Sequence, residues 1–154
     1  MRHPSLVPLS HDHHHGLALA LRCRKQSLGQ IRPMGQQGLR ERAREFGEFY
    51  SHTLVKHFQA EEEILFPVLI SLVPESGPII EQLKKDHDQI RAANSQLAAD
   101  SGLGKILFDL GDLLERHIRK EEQELFPLLE KRVSVHEAEG VGEGIKKILE
   151  AQQE

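Results

Sequence analysis

The stretch His57-Phe58-Gln59-Ala60-Glu61-Glu62-Glu63-Ile64-Leu65-Phe66-Pro67 returns sixty residues later as His117-Ile118-Arg119-Lys120-Glu121-Glu122-Gln123-Glu124-Leu125-Phe126-Pro127. The histidine, two glutamates, the leucine, the phenylalanine and the proline coincide in the two copies. A weaker repeat pairs Leu9-Ser10-His11-Asp12-His13 with Leu83-Lys84-Lys85-Asp86-His87. The sequence therefore predicts two helical hairpins of one design, each with a lone histidine and a His-x-x-x-Glu pair.

Apolar residues recur at helical spacing around both repeats, and no segment alternates apolar and polar residues for long enough to predict a strand. We predict four long helices, with Ser10 as the N-cap of the first; they cover about 10–29, 37–73, 79–99 and 103–133. The turn before the fourth helix is predicted at Asp100-Ser101-Gly102. Short connections between amphipathic helices predict an all-α fold, an up-down-up-down four-helix bundle.

The predicted bundle covers residues 9–133 of a single domain, 1–154, and leaves a C-terminal extension, 134–154. In the extension, the apolar residues Val141, Ile145 and Ile148 are spaced for a short fifth helix. Pro67 and Pro127 lie inside helical patterns, so each should release the carbonyl four residues earlier and bend its helix.

The composition argues against several classes of protein. The net charge is −4 and basic residues alternate with acidic ones, so we expect no nucleic-acid partner. No apolar run approaches the roughly 20 residues that span a bilayer, and Met1-Arg2-His3-Pro4 does not resemble a secretory signal. Cys23, the one cysteine, should be a small core residue. Since no internal disulfide can form, we expect a cytoplasmic protein.

Ten histidines are many for 154 residues, and several continue the apolar stripes of the predicted helices. Residues four apart lie on one helix face, so His57 with Glu61, and His117 with Glu121, can reach one metal centre. A single such pair is usually a surface contact. Two copies, both on apolar helix faces, instead indicate a buried metal site. Carboxylates buried there without a partner would cost several kcal/mol or stay protonated, and metal coordination removes that cost. The mixed set of imidazoles and carboxylates suits iron, manganese or zinc.

The lone histidine of the third helix is His87, which continues the stripe of Ile80 and Leu83. Its counterpart on the first helix is less certain. Alignment of the repeats favours His13, which follows an aspartate as His87 does, whereas the apolar phase slightly favours His14. We predict His13, with His14 as the alternative, and expect His11 and His15 to lie on the surface or around the site.

From about Leu9 to Leu129 the chain resembles the hemerythrin-like family, the HHE cation-binding domains. The resemblance rests on the histidine of the first helix, on His87, and on the two His-x-x-x-Glu pairs with their Leu-Phe-Pro endings. It implies a non-haem di-iron centre with an oxo or hydroxo bridge, which binds or senses O2 or the related molecules NO and peroxide. Zinc or manganese could replace iron in a recombinant sample. The implied metal ligands are His13, His57, Glu61, His87, His117 and Glu121, with both glutamates bridging the irons.

One departure separates the chain from the oxygen-carrying members of that family, which have two histidines one turn apart on the third helix. The corresponding residue here is Arg91, which stays protonated and cannot ligate a metal. Two histidines per iron leave an open position on each, which favours turnover of peroxide over reversible O2 carriage. The alternatives are therefore a di-iron oxidoreductase that consumes peroxide or NO, and a structural di-metal zinc bundle. Beyond the ligands, no catalytic residue is predicted.

Four acidic residues adjoin the predicted ligands. Glu62 and Glu122 could add a ligand or a supporting hydrogen bond, although a solvated face is the preferred interpretation. Asp12 and Asp86 each precede a lone histidine, and exposure is expected for both.

Overall fold

The computed structural model describes residues 1–99 and 101–151, and it confirms the all-α fold class. Asp100 of the predicted turn lies outside the described residues. The helices are α1 (Val7–Ser27), α2 (35–72), α3 (Gly77–Gln96), α4 (103–132) and α5 (Val135–Glu150). The first four form the bundle, α5 is the expected fifth helix, and no strand occurs in the described part of the chain.

The helix α1 begins earlier than its sequence suggests. Its first residue is Val7, and its N-cap is Leu6, which makes no side-chain capping hydrogen bond, so the prediction of Ser10 as N-cap is wrong. Pro8 lies in the first turn, where a missing N–H costs nothing because that group would have no helical partner. At the other end Gly29 has a φ of 70°, and the Gln30 N–H donates to the Lys25 carbonyl at 2.9 Å. That hydrogen bond closes the helix end as glycine-terminated helices commonly do.

Both copies of the repeat contain one π-helical turn, at Glu61–Leu65 in α2 and at Glu121–Leu125 in α4. The N–H of the next residue donates to the carbonyl five residues before it, in each case that of a predicted glutamate ligand. Pro67 and Pro127 follow directly and have no N–H for the helical ladder. The helix thus widens where the glutamates lie, which is common at functional sites. The bend expected at the prolines stays a prediction.

Two apolar clusters fill the bundle. One contains Leu9, Leu65 and Leu83 and extends to Ile145 of α5. The other contains Leu19 and Ile90. Along α1, His13 lies between Leu9 and Leu19, and along α3, His87 lies between Leu83 and Ile90. The polar cluster therefore occupies the layer between two apolar halves.

The helix α5 packs closely on α2 and on the N-terminal segment. Its N-cap, Ser134, accepts a hydrogen bond from the Glu137 N–H at 3.2 Å. A Cβ on Gly144 would come within 2.9 Å of Ile64, so glycine permits this approach. Among the described residues, no helix has both the length and the apolar character needed to cross a membrane.

Candidate metal centre

Six buried side chains meet in the layer between the apolar clusters, and they form two groups that could each hold a metal ion. Within each group the potential ligand atoms lie within 4.8 Å of one another. Glu61 and Glu121 belong to both groups; His13 and His57 complete the first, and His87 and His117 the second. The structure thus brings together all six predicted ligands, with the glutamates shared between the two positions.

The imidazoles point their Nε2 atoms at the shared carboxylates. Glu61 has one oxygen 3.4 Å from His57 Nε2 and the other 3.1 Å from His87 Nε2, so it spans the two groups. The Glu121 Oε1 atom lies 2.5 Å from His117 Nε2 and 3.9 Å from His13 Nε2. Both glutamate side chains are completely buried.

Most of these inward atoms make no hydrogen bond. All four carboxylate oxygens of Glu61 and Glu121 lack a hydrogen-bond partner, as do the Nε2 atoms of His13, His87 and His117. Buried polar atoms are nearly always paired in folded proteins, because each unpaired one forfeits its hydration. A cluster of unpaired acceptors around a common centre is what two cations would satisfy, so the donor set fits a di-metal centre.

Every histidine of the cluster uses its other ring nitrogen to bind an outer carboxylate. The Nδ1 atoms donate to Glu122 from His13 at 2.6 Å, to Asp12 from His57 at 3.0 Å, to Glu62 from His87 at 2.6 Å, and to Asp86 from His117 at 3.1 Å. In a neutral imidazole, a hydrogen on Nδ1 leaves the Nε2 lone pair free to face the centre. Carboxylates commonly orient metal-binding histidines in this manner.

These contacts overturn two predictions about the acidic neighbours. Glu62 and Glu122 do not lie on a solvated face: their side chains are only 29% and 27% exposed, and each accepts a hydrogen bond from a lone histidine. Asp86 is buried and Asp12 half-buried, so the expected exposure is wrong for both. The missed signal was in the repeats, since each of the four follows or precedes a ligand at the same offset in both copies.

Together the outer hydrogen bonds form a closed belt around the bundle. Asp12 of α1 binds a histidine of α2, and Glu62 of α2 binds one of α3. Asp86 of α3 binds one of α4, and Glu122 of α4 returns to α1. Each neighbouring pair of helices is thus joined by one histidine–carboxylate contact at the level of the inner cluster.

Charges within the cluster set the protonation of one histidine and one glutamate. Burial alone would raise the pKa of Glu61, but the positive charge of His57 and contacts with His57 and His87 hold that pKa well below its ordinary range. Burial likewise opposes protonation of His57, yet the charge of Glu61 and the hydrogen bond to Asp12 raise its pKa to about 9. Without metal, a proton on His57 therefore provides part of the positive charge that Glu61 requires.

Two other histidines are already in the form that binds metal. Burial lowers the pKa of His13 and of His117, and their hydrogen bonds to Glu122 and Asp86 do not reverse that effect. At neutral pH these imidazoles are uncharged, as a metal ligand must be.

The first helix places His13 inside and its neighbours outside. His13 is buried, whereas His14, the alternative ligand, is exposed, as are His11 and His15. His52, five residues before His57, is exposed as well. The geometry therefore favours His13 over His14, since only its ring reaches the shared glutamates.

Aromatic rings pack against the lone histidines. Phe58 stacks on His87 with centroids 3.8 Å apart and an angle of 18° between the planes. Phe126 stacks on His13 at 5.5 Å and 12°. The rings leave the Nε2 edges pointing at the glutamates and restrict rotation of the imidazoles, which favours a preformed site.

Residues 6–129 match the family described as Hemerythrin HHE cation binding domain. Comparison with curated proteins and with solved structures found no match. The matched span begins just before α1 and ends within α4, so it contains all six side chains of the inner cluster and the four outer carboxylates.

Proposed function

Because the chain belongs to the hemerythrin HHE cation-binding domain family, we propose that it holds two iron ions and uses them to bind or sense O2 or a related small molecule, NO or peroxide. One observation carries the proposal: two buried groups of four ligand atoms share Glu61 and Glu121. A shared pair of carboxylates is the arrangement that holds two cations close together.

The proposed roles follow from the contacts of each side chain. His13 and His57 would hold one ion, His87 and His117 the other, with Glu61 and Glu121 between them. Iron, when bound, would supply the affinity for O2, NO and peroxide. The chain itself holds the imidazoles in one tautomer, balances the positive charge with buried carboxylates, and excludes water with the rings of Phe58 and Phe126.

Turnover of peroxide or NO is a second candidate function, which is favoured because the two groups offer the same number and kinds of ligand. Each offers two histidines and the same two glutamates. Arg91 follows His87 by one turn, but its guanidinium is bound to Glu62 and adds no ligand. If ions fill both groups, neither would have more protein ligands than the other, which would favour turnover of a small molecule over its reversible binding at one ion.

Anaerobic loading with ferrous iron, followed by metal counting and optical spectra, tests the proposal. We expect two irons per chain and a new absorption band on addition of O2, NO or peroxide. The His57→Ala variant should lose metal, whereas His52→Ala, which alters an exposed histidine on the same helix, should not. One metal per chain, or spectra unchanged by all three molecules, would contradict a small-molecule di-iron function and favour a structural zinc site.

A further inference from the structure

We propose that Arg2 and Arg91 are positioning residues, one for each metal position, which act through the outer glutamates that hold the lone histidines. The inference rests on the metal binding proposed above and assigns to two half-exposed arginines a role that the ligand motif does not contain.

Arg91 controls the environment of His87. Its guanidinium donates to both carboxylate oxygens of Glu62, at 3.0 and 2.9 Å. The same Glu62 accepts the His87 Nδ1 hydrogen at 2.6 Å. The guanidinium carbon also lies 5.5 Å from the centroid of the Phe58 ring, which stacks on His87. Arg91 therefore contacts both groups that restrain this imidazole.

Arg2 makes the equivalent contacts at the other metal position. It donates to a Glu122 side-chain oxygen at 3.1 Å and is anchored by Glu130 at 2.8 Å. Glu122 accepts the His13 Nδ1 hydrogen at 2.6 Å. The Arg2 guanidinium lies 5.2 Å from the centroid of Phe126, the ring that stacks on His13. Arginine, glutamate, histidine and phenylalanine thus recur in one arrangement on both sides.

The two arginines do not come from the sequence repeat. Arg91 lies four residues after its histidine, inside α3, whereas the residue four after His13 is Leu17. Arg2 lies before α1, in the N-terminal segment that the His3 N–H fastens to Glu130 at 2.6 Å. The same contacts therefore arise from unrelated positions in the chain. Because the repeat does not explain these contacts, we infer that each outer glutamate needs an arginine partner.

The need for an arginine beside each outer glutamate has a physical basis. Glu62 and Glu122 are more than a quarter exposed, so water competes with the histidines for their oxygens. A guanidinium stays charged at every ordinary pH and forms strong, charge-assisted hydrogen bonds to a carboxylate. It restrains the carboxylate that accepts the Nδ1 hydrogen and offsets part of the carboxylate charge, so the imidazole keeps one orientation. The Nε2 atom is then held ready for its ion.

The test compares Arg91→Gln, Arg91→Lys and Arg2→Gln with the unaltered full chain and with Arg22→Gln. Arg22 is a matched control, because it is half-exposed and pairs between helices with Glu45, at 3.3 and 3.2 Å, away from the inner cluster. Each protein is loaded with two equivalents of Co2+, its visible spectrum is recorded, and metal retention is measured against a chelator. A circular-dichroism unfolding curve with the metal removed reports the stability of each helical fold.

Loss of an outer partner of a metal-binding histidine typically weakens metal affinity by 10–100-fold. We expect Arg91→Gln and Arg2→Gln each to lower the binding affinity for one of the two ions by about tenfold and to alter the cobalt spectrum. Arg91→Lys should recover part of that affinity. If both variants retain metal and spectrum as Arg22→Gln does, or if Arg22→Gln loses metal equally, the inference is overturned. An unaltered chain that binds no cobalt would instead overturn the proposed function, and this inference with it.

Discussion

At the scale of the residue, each histidine of the inner cluster divides its two ring nitrogens between different tasks. The Nδ1 hydrogen goes to an outer carboxylate, and the Nε2 atom faces Glu61 or Glu121. A histidine that merely fills a core would have both nitrogens paired, as buried polar groups generally are. The Nε2 atoms of His13, His87 and His117, which make no hydrogen bond, are therefore the feature that distinguishes a ligand set from a buried polar network.

Replacement of His13 and His14 by alanine tests the assignment on the first helix. His13→Ala should retain markedly less metal, because it removes one of the two imidazoles of its group. His14→Ala alters an exposed neighbour and should retain two ions. Metal content after dialysis gives the answer, and full retention in His13→Ala would contradict the assignment.

Metal uptake should release protons at neutral pH. The pKa of His57 is raised to about 9 in the metal-free site, so its imidazole carries a proton below that pH, and a metal ion must displace it. Affinity should consequently rise as the pH increases from 6 towards 9. Titration with Zn2+ in weak buffer containing a pH indicator measures the release, and uptake without acidification would contradict the protonated state of His57.

At the scale of the element, glycine allows α1 and α4 to pack closely beside the centre and in the apolar half that contains Leu19. A Cβ on Gly111 of α4 would come within 2.6 Å of the Ala20 carbonyl of α1. A Cβ on Gly16 of α1 would lie 2.8 Å from Ile118 of α4. These two helices carry His13 and His117, so their spacing helps to set the width of the cluster.

A pair of glycine-to-alanine variants tests this contact. Gly111→Ala should destabilise the fold by about 1–3 kcal/mol, because the added methyl group meets a backbone carbonyl and the helices must separate. Gly47→Ala, in α2, meets no atom within 4 Å and should stabilise the fold by up to about 1 kcal/mol through helix propensity. Urea denaturation of both variants distinguishes the two effects. Equal changes would indicate that the α1–α4 contact is not tight.

At the scale of the whole molecule, the belt of histidine–carboxylate contacts joins four helices around a charged centre that the metal-free protein leaves poorly paired. Metal should therefore stabilise the entire fold and not one helix. A ligand that binds only the folded state contributes about 2.7 kcal/mol when its free concentration is a hundred times its dissociation constant. The stabilisation should appear as a rise in the melting temperature of a single cooperative unfolding transition.

Glu121→Gln and Glu124→Gln provide a matched test of whether metal bound at the centre stabilises the whole fold. Both glutamates lie in the π turn Glu121–Leu125, but Glu121 is shared by the two metal groups and Glu124 is exposed. Zinc or ferrous iron should raise the melting temperature of Glu124→Gln as it does that of the unaltered chain. Glu121→Gln should lose most of the rise. A full rise in Glu121→Gln would show that the metal stabilises the protein from elsewhere.

Local patterns in the sequence were sufficient to predict the bundle and the six inner side chains. Helical period alone places His57 and Glu61 one turn apart on an apolar face, and the repeat supplies the second pair. Alignment of the repeats also favoured His13, which the structure buries while it exposes His14. The π turns were not predicted, because a proline indicates a lost hydrogen bond but not how the helix accommodates it.

The outer layer was decided by tertiary structure. Ser10 was predicted to cap the first helix, but its hydroxyl donates to the Glu122 carboxylate at 2.7 Å. Glu62 was predicted to lie on a solvated face, but it binds Arg91 because α2 and α3 pack side by side. A sequence period states which face of a helix a residue occupies, but not which residue of another helix stands opposite. The doubled His-x-x-x-Glu motif and the two lone histidines therefore predicted the residues of the inner cluster, whereas the partners that orient its imidazoles depend on contacts between helices far apart in the chain.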